Sequence, residues 1–205
     1  MNREKSMLLL ASSSPRRKEL LALLGIDFAH RPTDLQEIPK EKETPQTYVK
    51  RMAFEKAKLA QKNRNSFDPE WILTADTTVA LEEQKKNSSQ IFEKPKDRIE
   101  AKEFLKKLSG KTHLVYTAFC LLNAKGSIEK AYSKTVLSKV QFRNLQNQEI
   151  EVYLDTNDWR DKAGGYGIQG KGAFLIETIT GSYTNVVGLP LTELLQGFNK
   201  LGITF

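Results

Sequence analysis

Met7-Leu8-Leu9-Leu10-Ala11-Ser12-Ser13-Ser14-Pro15-Arg16-Arg17 is the stretch from which the fold is read. Its apolar run, residues 7–11, reads as a buried strand that feeds directly into a helix. Ser14 is a good N-cap, Pro15 suits the first helical position and Gly25 closes the helix at its far end. Leu20, Leu21 and Leu24 supply the buried stripe. Outward from there, a second helix is expected over 46–62, with Val49, Met52, Ala53, Ala57 and Ala60 on one face. Trp71 to Leu81 is strand-like but interrupted by Ala75-Asp76-Thr77, and the charged stretch Glu82 to Gln90 reads as an exposed hairpin tip. Asp97 with Glu100 makes a capping box for a helix that reaches Leu108 and stops at Gly110. Residues 112–122 and 127–142 alternate as an antiparallel pair around Asn123-Ala124-Lys125-Gly126. A helix over 145–155, a glycine-rich loop over 163–172, a strand over 173–180, a turn and a helix from Pro190 complete the chain. Interleaved strands and helices predict an α/β fold with a mixed sheet, one domain over 1–205 in two lobes.

Composition narrows the function classes. At 205 residues the chain can bury a core without disulfide or metal staples, and 39% apolar with 28% charged residues excludes a disordered or fibrous protein. The leading apolar run is far too short to span a membrane, and the preceding Met-Asn-Arg-Glu-Lys-Ser argues against a secretory signal. Cys120 is the only cysteine, so no internal disulfide forms, and a cytoplasmic location is expected. Two histidines, His30 and His113, are too few for a His/Cys zinc site. Basic residues exceed acidic ones by 32 − 25 = 7, which favours anionic partners: nucleotides, nucleic acid or acidic head groups. Aromatic residues are scattered through apolar segments rather than gathered on a basic face, which argues against RNA. A non-catalytic, basic nucleic-acid-binding or division regulator stays open as the competing class.

Four local patterns carry chemistry. A strand feeding a helix aims backbone N–H groups and the positive dipole end at whatever sits above it, and Ser12, Ser13, Ser14, Arg16 and Arg17 gather there. The result is a phosphate cradle without a Walker sequence, although an ordinary capped helix with exposed arginines has the same residues. Asp76 follows Trp-Ile-Leu-Thr-Ala, where an apolar strand leaves the core, and a carboxylate there can hold a cation or activate water. A turn-forming Asp fits the position equally well. Lys56 falls on the apolar face of its helix, so it either snorkels or directs its charge at an anion. Lys94, before Pro95, is a cation leaving a strand. Five of the twelve glycines fall within 164–172, so that backbone takes unusual dihedrals or approaches a ligand closely. Within it, Gln169 has the donor and acceptor needed to read a base edge, and the interleaved Tyr166 and Ile168 suggest an ordered loop. Glu37 matters if a metal needs a partner for Asp76, in which case oxygen ligands imply Mg²⁺ or Mn²⁺. Cys120 reads as core, and neither histidine has the setting of a catalytic triad.

Taken in order, these pieces resemble the Maf family of nucleotide pyrophosphatases. The matching segments are Leu-Ala-Ser-Ser-Ser-Pro-Arg-Arg at 10–17, Glu-Lys-Ala at 55–57, Ala-Asp-Thr at 75–77 and Glu-Lys-Pro at 93–95. They continue with Leu-Ser-Gly at 108–110, Asp-Lys-Ala-Gly at 161–164, Gly-Tyr-Gly-Ile-Gln-Gly at 165–170 and Val-Gly-Leu-Pro at 187–190. The resemblance covers residues 7 to 200. It implies an inosine-triphosphatase-like, elongated mixed sheet with flanking helices and two lobes around a deep cleft, in a family that is often dimeric, so that a homodimer is one expectation. It further implies hydrolysis of a nucleoside triphosphate to monophosphate and pyrophosphate with Mg²⁺ or Mn²⁺, serving nucleotide housecleaning or division arrest. Asp76 becomes the proton acceptor, with Glu37 helping to place the metal, and Ser12, Arg16, Arg17, Lys56 and Lys94 bind phosphate. Arg16, Thr77 and Gln169 match the family's dTTP/UTP branch rather than its 7-methyl-GTP branch. The chain departs from the family in its long, charged 82–90 tip, in Gly165 where Ala is common, and in Asn157-Asp158-Trp159-Arg160.

Overall fold

Three leucines without a polar interruption give β1 (Leu8–Leu10), every side chain of which is buried. The computed structural model describes residues 8–65, 68–83 and 88–204. β1 runs parallel to β2 (Phe28–His30) on one edge and to Trp71–Leu73 of β3 (Trp71–Glu83) on the other. A parallel strand paired on both edges is covered on both faces, so it is apolar throughout instead of alternating. Between β1 and β2 lies α1 (Pro15–Ala22), with Leu20 and Leu21 buried and Ser14 at the N-cap. The Ser14 side chain does not cap: its N–H instead donates to Ser12 Oγ at 3.2 Å. Leu24, beyond the helix end, is only half-buried.

α2 (Pro45–Lys62) is capped by Thr44, whose hydroxyl accepts from the Thr47 N–H at 3.2 Å, and it buries the expected apolar stripe with Lys56 in it. β3 departs from expectation, because it continues unbroken through Ala75, Asp76 and Thr77. Thr74, Asp76 and Thr78 share one face of this strand by the two-residue period. Each has a partner: Thr74 Oγ1 donates to the Ala53 carbonyl at 2.7 Å, Asp76 meets Lys56, and Thr78 Oγ1 donates to Glu93 at 2.8 Å. Buried polar residues with satisfied hydrogen bonds do not end a strand. β3 then returns antiparallel as β4 (Ser88–Phe92), from Val79↔Phe92 to Glu83↔Ser88. Much of the expected tip is therefore paired strand, and its apex, 84–87, falls outside the described residues.

α3 (Arg98–Leu108), β5 (Thr112–Asn123), β6 (Tyr132–Phe142), α4 (Asn147–Asp155), β7 (Ile176–Thr180), α5 (Tyr183–Val187) and α6 (Leu191–Leu201) complete the order. The sheet is mixed and seven-stranded, β2-β1-β3-β5-β6-β7 with β4 on β3. β5 lies between two neighbours and is buried along most of its length, so the expected alternation is absent. Asp97 accepts the Glu100 N–H at 2.8 Å, while the Glu100 carboxylate reaches back to the Lys96 N–H, displacing the expected capping box by one residue. The stretch expected as a strand over 173–180 begins as a 3-10 turn, Gly170–Leu175, and is strand only from Ile176. The expected turn after it is helical over Tyr183–Val187, where the Asn185 N–H donates to Ser182 Oγ at 3.2 Å.

The chain divides into two compact units, one from 1–76, 117–136 and 188–205, the other from 77–116 and 137–187. The first is built around Leu9, Leu21, Tyr48, Met52, Ile72 and Phe198, all buried. The second is built around Phe92, Leu105, Phe142, Tyr153, Trp159 and Tyr166. In the second unit, a Cβ on Gly172 would stand 2.0 Å from the Gly167 carbonyl oxygen, backbone against backbone. Gly172→Ala is expected to cost about 1–3 kcal/mol, since no rotamer relieves that overlap. The reading is a lower urea midpoint at unchanged slope; an unchanged midpoint would mean the loop backbone yields freely.

Candidate active site

The segment leaving β1 is held at three points. The Ala11 N–H donates to the Leu73 carbonyl at 2.9 Å, Thr33 Oγ1 donates to the Ala11 carbonyl at 3.4 Å, and His30 Nε2 donates to the Ser12 carbonyl at 2.6 Å. Ser12 is buried, and its Oγ accepts from both the Ser14 N–H and Arg17 at 3.3 Å. Arg17 is also buried, in place of the exposed arginine that an ordinary capped helix would show, and its Nε donates to the Gly188 carbonyl at 2.9 Å. Burial lowers its pKa from the usual guanidinium value, against the upward pull of Asp76 and Glu37. A guanidinium begins so far above neutrality that it stays charged. Arg16, its half-buried neighbour, opposes that charge.

Lys56 does not snorkel. Its Nζ lies 2.5 Å from Glu37 Oε1 and 2.6 Å from Asp76 Oδ1, at 5% exposure for the residue as a whole. α2 presents it because position 56 continues the buried stripe of Val49, Met52 and Ala53. β3 presents Asp76, and Glu37 arrives on the irregular segment between β2 and α2. Burial raises the Asp76 carboxyl above the ordinary aspartate range; Lys56 opposes the rise, Glu37 adds to it and Arg17 opposes it. Two carboxylates thus share one ammonium, with a guanidinium acting on both, in a setting of low dielectric.

Arg51 was not anticipated from sequence. Its guanidinium grips Glu43 at 2.7 and 2.6 Å and donates to the Ile38 carbonyl at 3.0 Å, next to Glu37. A fork of this kind fixes the direction of a loop as well as its distance. An arginine five residues before Lys56 on a helix is the only trace it leaves in the sequence.

Thr77, Lys94 and Gln169 belong to the second unit. Thr77 is half-buried, Lys94 is exposed and Gln169 is half-buried at the start of the 3-10 turn Gly170–Leu175. The glycine-rich loop is ordered and packed: Gly164 and Gly165 have φ of 73° and 69°, and Cβ atoms there would meet Val79 and Pro95. Gly165 thus occupies a left-handed conformation that favours glycine. Cys120 is buried in β5, its thiol pushed up to about 12 by burial, as befits core rather than a nucleophile.

Among the described residues no cluster of three His, Cys, Asp or Glu side chains is placed to hold a metal. Glu37 and Asp76 nonetheless form a hard, all-oxygen pair. Mg²⁺ is commonly held by one or two carboxylates with substrate phosphates completing its shell, so this donor set fits it.

A mixed α/β protein with a buried carboxylate–lysine–carboxylate centre beside a helix N-terminus is suited to phosphate chemistry. The family is Maf: its model, described as Maf-like protein, matches residues 7–201, and the chain belongs to that family. A dTTP/UTP pyrophosphatase of Roseobacter denitrificans is 47% identical, covering 96% of this chain and 99% of its own length. One from Syntrophus aciditrophicus is 41% identical over 97% of this chain and 92% of its own. A dTTP/UTP pyrophosphatase of Pyrococcus furiosus is 44% identical over 92% of this chain and 92% of its own length.

Proposed function

We propose that this chain hydrolyses dTTP and UTP, and modified pyrimidine nucleotides with them, to the monophosphate and pyrophosphate. The observation that carries this reading is the buried Glu37–Lys56–Asp76 centre, with Lys56 Nζ within 2.6 Å of both carboxylates. The names of the relatives supply the substrates. Water attacks the α-phosphorus, the bond to the bridging oxygen breaks, pyrophosphate leaves and the water's proton passes to the Asp76 carboxylate. Its raised pKa makes Asp76 a better proton acceptor than a surface aspartate, while Lys56 favours its ionised form. Arg17, Arg16, Ser12 and the N-terminus of α1 receive the phosphates, and Lys94 and Thr77 are further substrate-binding residues in this reading. A divalent cation held by Glu37 and Asp76 would neutralise charge developing on the phosphoryl oxygens. Gln169 reads the pyrimidine edge, where an unpaired polar group is heavily penalised. No described helix is long and apolar enough to cross a membrane. A cytoplasmic location belongs to the same proposal.

The test is pyrophosphate release with Mg²⁺ or Mn²⁺ from dTTP, UTP, CTP, 5-methyl-UTP, GTP, 7-methyl-GTP, ATP and ITP. Turnover selective for dTTP and UTP is expected. No turnover of any nucleotide by folded protein would overturn the reading, and salt-steep polynucleotide binding would then favour the nucleic-acid alternative.

Arg51 supplies a subsidiary prediction. Arg51→Ala frees the segment bearing Glu37 and should lower kcat/KM about 10–100-fold, the range for partners that orient catalytic groups. Arg51→Lys should restore little, because an ammonium cannot reproduce the fork. Full activity in either variant would remove the proposed role.

A further inference from the structure

Tyr166 and Gly167 stand just ahead of Gln169, and each is tied to the second unit by a tyrosine hydroxyl. Tyr166 points inward at 6% exposure, with its Oη 2.7 Å from His113 Nε2. Its ring meets Phe142 edge-on at 4.7 Å between centroids and His113 at 5.4 Å, while His113 and Phe142 lie 4.9 Å apart. Three rings in mutual edge-to-face contact admit one arrangement of the Tyr166 side chain. One residue later, the Gly167 N–H donates to Tyr153 Oη at 3.2 Å, from α4. Gly167 in turn packs against Gly172, so the turn closes on itself around Gln169.

Both partners in the Tyr166 contact are neutral. Burial pulls His113 down to about 4, against a smaller upward pull from the backbone of Lys111, and burial raises the Tyr166 hydroxyl above its ordinary range. A neutral imidazole and a protonated phenol share one hydrogen bond without a charge to solvate, which a buried site holds at little cost. None of these residues touches reacting atoms in the chemistry set out above.

We infer that His113, Tyr166 and Tyr153 are positioning residues that pin the backbone on which Gln169 stands, and thereby set selectivity for the pyrimidine. The inference rests on the proposed role of Gln169 for its consequence, while the pin itself is a property of the fold. Two substitutions release one tether each and keep the ring in place: Tyr166→Phe leaves His113 Nε2 without the hydroxyl, and Tyr153→Phe leaves the Gly167 N–H without its acceptor.

Amide hydrogen exchange in the full-length protein reads the pin directly. Exchange over 165–172 should quicken at least about tenfold in Tyr153→Phe, with helix α2 and β1 unchanged. Exchange at wild-type rates in both variants would overturn the inference, whatever the enzyme does. Kinetics read the consequence. KM for dTTP should rise about 5–20-fold with kcat within about threefold, and the preference for dTTP over CTP should fall by a similar factor. A uniform loss of kcat across nucleotides, tracking a lower melting temperature, would mark a merely structural role and overturn the selectivity claim. His113→Gln, whose amide can still meet Tyr166 Oη, should retain more of the preference than His113→Leu; equal losses count against the hydrogen bond. Quickened exchange in a protein that turns over no nucleotide would sink the proposed activity and leave the pin standing.

Discussion

Asp76→Asn should reduce pyrophosphate release by roughly 10²–10⁴-fold while the protein stays folded. The amide matches the carboxylate in shape, and its oxygen can still accept from Lys56, but it cannot take the proton of the attacking water. KM should change far less than kcat, because the proposed phosphate contacts, Arg17, Ser12 and the helix N-terminus, are left intact. Retained turnover in clean protein would remove Asp76 from the mechanism. The same residue sets the acid limb of the pH profile. Asp76 acts as a base only when ionised, so activity is present above its folded pKa and is lost as pH falls through it. Burial raises that pKa, so the limb should stand above the ordinary aspartate value of about 3.9. A limb at or below that value would contradict the buried setting.

Lys56→Met should be strongly destabilising, costing about 3–5 kcal/mol at neutral pH. Methionine nearly matches the length of the side chain and removes only the charge, leaving Glu37 and Asp76 facing each other inside the protein. The sign of the pH dependence follows from linkage. Lys56 holds the Asp76 pKa down, so its removal lifts the folded value still further above the unfolded one. The folded state then binds protons that the unfolded state has released, and stability declines as pH rises between the two values. The deficit relative to wild type should therefore shrink toward pH 4, where the carboxyls are protonated. Urea denaturation at pH 7.5 and pH 4.5 measures it. A deficit under about 1 kcal/mol at neutral pH, or one that grows on acidification, would mean the ammonium does not hold the pair.

Much of the fold was legible because its local cues agree. The Leu8–Leu10 run, Pro15 and the stripe of α2 each point to the element that forms there, and Lys56 stood out as a cation on an apolar face. What stayed hidden depends on partners distant in sequence. β2 is three residues long and shows no period of its own; it is strand because β1 lies beside it. Asp76 looked like the end of a strand because an aspartate inside β3 makes sense only once Lys56 is known to meet it. β5 lost its alternation to neighbours on both edges. The burial of Arg17 depends on a carbonyl at Gly188, and that of Tyr166 on His113, neither signalled by spacing or residue type. Among the proposed site residues, the sequence named the chemistry of Glu37, Lys56 and Asp76, and the fold supplies the geometry that joins them.

The bond from Arg17 to the Gly188 carbonyl crosses 171 residues. In an emerging chain, the N-terminal end of the centre leaves the ribosome long before its acceptor exists. The whole of 77–116 and 137–187 is synthesised in the interval. Closing so long a loop is slow, and the chain can finish this contact only after Gly188 has been made. A nascent chain therefore carries Arg17 without the carbonyl that holds it, and a polypeptide that stops at Val187 would never acquire it. The order of the sequence sets the order of maturation: the anchor that holds Arg17 forms only after 77–116 and 137–187 have been made.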